Sequence, residues 1–181
     1  MVLAVAAPDT VIRDHARDLV GQALRESLGV LLELPPHAVR LVSQPGQPLR
    51  LDTPGPRIGL SVTHERGLSL AAIYGGGAVG IDLMRVEQRS DWLPDWEPVA
   101  RAYLGDRAHD RIARQLPAER PLSFAREWTR LEACLKCKSL PLQEWSPALQ
   151  HDLLRCRLFD LELPEGFVGT LATASWDDAK R

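Results

Sequence analysis

Apolar residues recur at helical spacing near the start of the chain. Ile12, Ala16, Leu19, Val20, Ala23, Leu24 and Leu28 fall at three- and four-residue steps, with Arg13, Arg17 and Arg25 on the polar side. That period predicts an amphipathic helix over 10–30, with Gly29 as its C-terminal stop. Residues 43–56 (SQPGQPLRLDTPGP) are rich in Pro and Gly and predict a loop. Three short apolar runs follow, 57–63 (RIGLSVT), 68–74 (LSLAAIY) and 78–84 (AVGIDLM), separated by HERG and GGG. Their spacing predicts an antiparallel meander.

Beyond these strands, 91–98 (DWLPDWEP) reads as a turn, and helical patterns return at 99–104, 106–115 and 121–138. The last is the clearest, with Pro121 suited to a first turn. Strand-like runs at 153–161 and 167–174 close the chain. The order is helix, strands, helices, strands, without regular β-α-β alternation, so the pattern predicts an α+β fold rather than a Rossmann fold. Each half of the chain carries a helix and a small sheet.

Composition narrows the function. At 181 residues with 45% apolar and 25% charged positions, the chain reads as one globular domain. No run approaches the ~18 apolar residues of a membrane span. The apolar N-terminus lacks a preceding basic segment and reads as mature sequence. A net charge of −2 argues against nucleic-acid binding as the main task. Three cysteines cannot all pair, which points to a reducing cytoplasm. Of 22 basic residues only Lys136, Lys138 and Lys180 are lysines, so each retained lysine draws notice.

Several motifs invite chemistry that their context does not support. Gly75, Gly77 and Gly80 fit G-x-G-x-x-G, but a strand rather than a helix follows, which predicts a hairpin turn. Cys134 and Cys137 form C-x-x-C late in a helix, where thiols are not activated, and read as packed thiols. Ser61 and His64 lie close in sequence without a nucleophile elbow. More informative is the stripe Trp128, Glu132 and Lys136, each four residues apart on one helix face. Glu132 and Lys136 could form a solvated ion pair, although Trp128 on the same stripe implies a partly buried face. Asp82 lies inside an apolar strand, where it needs a partner, a structural role or a metal. His64, at a strand end, can reach a phosphate or cap the turn. Asp82 and Glu132 together would offer two hard oxygen ligands to Mg²⁺, and Lys136 a charge for a reacting phosphate.

Four segments in order, PGQP (45–48), LSVTH (60–64), VGIDL (79–83) and WTRLEACLK (128–136), with SLPLQEW (139–145) after them, resemble the surfactin-type 4′-phosphopantetheinyl transferases. The resemblance implies one domain over 1–181, a pseudo-twofold arrangement of two similar halves (about 1–84 and 85–181), each a helix packed on a small, mostly antiparallel sheet. It implies a cytoplasmic monomer that moves the phosphopantetheine arm of coenzyme A onto a serine of an acyl or peptidyl carrier protein. Adenosine 3′,5′-bisphosphate is released and Mg²⁺ is required. By position Asp82 and Glu132 match the metal ligands. Glu132 also matches the group that takes the serine proton, and Lys136 matches the lysine on the reacting phosphate. His64 and Thr63 match the pair on the 3′-phosphate, and Arg13 and Arg17 are candidates for the nucleotide phosphates. Departures from the family pattern fall at Gln47 (for the Lys of G-K-P), Met84 (for a second metal-binding Glu), Ala108 (for an acidic residue) and Leu131 (for a Lys). The alternative they favour is a non-catalytic relative that binds coenzyme A or a carrier protein without transfer.

Overall fold

The computed structural model describes residues 1–6, 13–44, 47–53, 55–86 and 95–178. The first residues of the predicted N-terminal helix, the Pro-Gly of PGQP, the first half of DWLPDWEP (91–94), Lys180 and the Arg13 side chain lie outside the described residues. In chain order the elements are β1 (Val2–Ala6), α1 (Arg13–Leu32), β2 (Leu41–Val42), β3 (Arg50–Leu51), β4 (Gly59–Glu65), β5 (Leu68–Tyr74) and β6 (Ala78–Arg85). Then come α2 (Trp96–Val99), a π-helical turn (Ala100–Leu104), α3 (Asp106–Ala113), α4 (Arg120–Lys138), α5 (Pro147–Leu153), β7 (Arg157–Asp160) and β8 (Phe167–Ala174). The result is a mixed α+β fold with three small antiparallel sheets, ordered β1-β5-β4, β2-β3 and β6-β8-β7.

The predicted meander breaks after β5. β4 and β5 pair through the two-residue turn at Arg66 and Gly67, but β6 pairs with β8 in a separate sheet. The glycine segment 75–77 is therefore a crossing between sheets, not a hairpin. Its backbone passes so close to β8 that a Cβ on Gly77 would lie 2.0 Å from the Ala174 carbonyl oxygen. Three further elements departed from their local pattern. The N-terminal run is a strand, β1, zipped along β5. The Pro/Gly-rich loop holds β3, paired to β2. The start of the predicted strand 153–161 is instead the end of α5, whose N-cap Ser146 accepts a hydrogen bond from the Leu149 N–H at 3.1 Å.

Gly29 does not stop α1. The helix runs to Leu32 and ends on Glu33, which takes the left-handed conformation at φ 56°. The Leu34 N–H returns to the Gly29 carbonyl at 2.8 Å and that of Glu33 to Val30 at 3.4 Å, a Schellman ending. Gly29 is needed for room: a Cβ there would sit 2.7 Å from the Leu34 carbonyl oxygen.

Burial explains the layering. On β5, Ala71 and Ile73 face α1 (Val20, Leu24, Leu28), while Leu68, Leu70 and Ala72 face Val79, Ile81 and Leu83 of β6. A strand buried on both faces has no polar alternation to display, which matches LSLAAIY. The opposite face of β6 carries Ala78, Gly80, Asp82 and Met84, because side chains alternate. That face meets α4. A Cβ on Gly80 would lie 2.0 Å from the Ala133 carbonyl oxygen and 2.5 Å from the Cys137 nitrogen, so only glycine lets the helix lie this close.

Candidate active site

The close approach of α4 to β6 puts Lys136 beside Asp82. The ammonium donates to Asp82 Oδ1 at 2.6 Å and to the Ile81 carbonyl at 3.1 Å. Asp82 is buried, and Thr63 of β4 donates its hydroxyl to the same Oδ1 at 3.2 Å. The Ile81 N–H is taken by Ser61 Oγ at 3.1 Å. No ladder joins β4 to β6, so side-chain groups satisfy the edge of β6 that faces β4. Ser61 is thereby a strut between two sheets.

Lys136 does not form the solvated ion pair with Glu132 that its spacing allows; among the described residues it bridges to Asp82. Glu132, one turn earlier on α4, stays half-buried. Burial pushes its carboxyl above the usual range, the Asp82 charge adds to that, and Lys136 offsets part of it. Burial also raises Asp82, against the opposing pull of Lys136 and of the hydroxyl of Thr63. Two carboxylates that desolvation disfavours, held around one ammonium, form a site that gains from additional positive charge.

These groups border a cleft of about 1000 Å³ between α1, β4, β6 and α4, whose wall includes Arg17, Thr63, His64, Asp82, Met84, Trp128, Glu132 and Lys136. The structure thus brings together the predicted residues Asp82, Glu132, Lys136, Thr63, His64 and Arg17. His64 is partly exposed, and its Nδ1 lies 2.9 Å from Ser69 Oγ on β5, which fixes the ring plane. Arg17 is 3.4 Å from Asp14 on the exposed side of α1. Trp128 stacks on Phe124 and meets Tyr103 edge-on, walling the cleft above Glu132. Gln47 stands apart. It accepts from the Arg50 guanidinium and borders a smaller pocket of about 320 Å³, which also touches Lys136. The remaining departures are packed residues: Met84 against the Trp96, Ala100, Ile112 and Phe124 cluster, Ala108 buried on α3, and Leu131 on the far side of α4.

Glu65 is not among the residues that the sequence pattern singles out. It ends β4 on the cleft wall as a third carboxylate, raised by burial and by Asp82, and steadied by backbone N–H groups of Arg66 and Arg85. Only the approach of β4 to β6 across two separate sheets, invisible to local pattern, reveals it. Among the described residues no group of three or more His, Cys, Asp or Glu side chains is arranged to hold a metal ion. No helix of the described residues is long and apolar enough to cross a membrane.

Comparison with known families fits this geometry. A family model described as ACPS, 4′-phosphopantetheinyl transferase superfamily, matches residues 78–174. The match runs from the start of β6 to the end of β8 and spans Asp82, Glu132 and Lys136. No curated protein sequence matches the chain.

Proposed function

This chain belongs to the 4′-phosphopantetheinyl transferase superfamily, and from that premise we propose that it moves the phosphopantetheine arm of coenzyme A onto a serine of an acyl or peptidyl carrier protein. The observation that carries the reading is the convergence of Asp82 from β6 with Glu132 and Lys136 from α4 at the wall of one cleft. In this reading coenzyme A lies in the cleft. His64, with Thr63 beside it, holds the 3′-phosphate, and Arg17 on the cleft wall serves the nucleotide phosphates, for which Arg13 is a further candidate. Gln47 serves from the neighbouring pocket.

Lys136 donates to an oxygen of the phosphate under attack, where negative charge grows in the transition state. Asp82 and the Ile81 carbonyl aim the ammonium. Glu132 takes the proton of the carrier serine as its oxygen attacks that phosphate, and a carboxylate raised by burial is the better base for it. The serine–phosphorus bond forms, the pyrophosphate bond breaks, and adenosine 3′,5′-bisphosphate leaves. The donor set suits Mg²⁺, which Asp82 and Glu132 would hold with the substrate's own phosphates. When bound, the ion supplies positive charge against the pyrophosphate. Met84, a soft thioether, adds nothing to such a site.

Thr63 and His64 come from the β1-β5-β4 sheet, and Asp82, Glu132 and Lys136 from the β6-β8-β7 sheet and the helix α4 packed on it, which supports a monomer with one site between two pseudo-twofold halves. Free cysteines and coenzyme A as substrate support a cytoplasmic setting. A second reading, binding without transfer, is favoured by Met84, which is packed against an apolar cluster. Incubation with coenzyme A, Mg²⁺ and an apo carrier protein, read by intact mass, separates the two. Gain of the phosphopantetheine mass supports transfer; coenzyme A binding with an unmodified carrier supports the second reading and sinks the first.

A further inference from the structure

All three cysteines of the chain meet at one place, away from the cleft. Cys134 and Cys137 lie one turn apart on the face of α4 that packs on Ala78, Ala172 and Ala174, and both are buried. Cys156, from the turn between α5 and β7, packs against that cluster and is partly exposed. Cys134 and Cys156 also border a second groove of about 1010 Å³, whose wall includes Leu131, Trp145 and Leu154. A small molecule in that groove reaches Cys156 with the α4 thiols directly behind it.

The neighbourhood favours a thiolate at this position. Cys156 packs against the two α4 thiols. Hydrogen-bond sharing with them, together with the charge of Lys138, holds its thiol below the ordinary range, while the same sharing and burial hold Cys134 and Cys137 above it, so Cys156 is the one poised to attack first. Lys138 is itself fixed in place: it is buried, and its ammonium donates to the Asp178 carbonyl.

We propose that Cys156 is a thiol–disulfide exchange site, and that the α4 cysteines resolve it into an intramolecular disulfide joining α4 to the α5–β7 turn. The oxidant is a low-molecular-weight disulfide, RSSR. The Cys156 thiolate attacks one of its sulfurs, forming Cys156–S–S–R and releasing RS⁻, which takes up a proton. A thiol of α4 then loses its proton to solvent and attacks the Cys156 sulfur, expelling the second RS⁻. Two protein thiols are oxidised to one disulfide and RSSR is reduced to two RSH. In a reducing compartment such a bond forms only under oxidation, which suits a sensor rather than a structural staple.

The test uses the full chain and oxidised glutathione. Thiol titration in denaturant, after an acid quench of the reaction, should fall from three free cysteines to one. Intact mass should show loss of two hydrogens without retained glutathione. Peptide mapping should link Cys156 to Cys134 or Cys137, and dithiothreitol should reverse the change. Cys156→Ser should form no disulfide under the same conditions. Three thiols persisting in the wild-type protein would overturn the proposal, as would a stable glutathione adduct on Cys156 without closure. A disulfide between Cys134 and Cys137 in Cys156→Ser would overturn it too.

Discussion

Glu132 has its ionisation disfavoured in the fold. Burial raises its carboxyl above the ordinary value of 4.5, and Asp82 adds to the shift. A native state that binds this proton more tightly than the unfolded chain gains stability as pH falls through the interval between those two values. It loses that gain as pH rises through the interval and keeps none above it. Glu132→Gln, which carries no charge, should therefore be at least as stable as wild type at neutral pH. The advantage over wild type should shrink as the pH falls toward about 4, by thermal unfolding across that range. A neutral-pH loss of stability would mean that the carboxylate is held by structural contacts. His64 gives a binding test at the same scale. If it holds the 3′-phosphate, His64→Ala loses a charged hydrogen bond worth ~1.5–3 kcal/mol, about 10- to 100-fold in coenzyme A affinity. Calorimetry with 3′-dephospho-coenzyme A should show almost no change; equal weakening of both ligands would make His64 a turn cap.

Among the elements, α4 and β6 matter most, and what was legible in them divides along physical lines. The stripe Trp128, Glu132, Lys136 was readable because a helix repeats every few residues, and the structure keeps that face half-buried. Gly80 falls inside the strand predicted over 78–84. Its use as a landing place for α4 was not readable, because contact between a strand and a helix about fifty residues later leaves no local period. The same holds for β1, a strand only because β5 offers it an edge. α5 is not among the predicted elements: the apolar run at 153–161 reads as a strand, and the helix rests on the cap at Ser146. Gly80→Ala tests this packing. The added methyl has no room against the α4 backbone, and overpacking costs ~1–3 kcal/mol. Denaturant unfolding should show that loss, together with slower transfer as Lys136 moves from Asp82. Unchanged stability and rate would contradict the close approach.

For the molecule as a whole, the candidate site exists because two sheets meet without pairing. Ser61 and Thr63 on β4 reach the Ile81 N–H and Asp82 on β6, and Lys136 completes the edge. Removing the strut by Ser61→Ala leaves a buried N–H without its partner, at a cost of ~1–3 kcal/mol. Chemical denaturation should show it, and a neutral effect would mean that the sheets are held by apolar packing alone. This arrangement also explains what the sequence could not disclose. Asp82 in its apolar strand needs a partner, but the ammonium that serves it lies 54 positions away, beyond the reach of any local pattern. The central claim is that this junction performs transfer. Its most direct measurement is the rate at which wild type and Glu132→Gln modify an apo carrier protein with coenzyme A and Mg²⁺, followed by intact mass. The account predicts that wild type adds the phosphopantetheine arm and that Glu132→Gln does so at least ~10²-fold more slowly, with coenzyme A binding retained. Equal rates for the two proteins, or a carrier left unmodified by wild type, would contradict it.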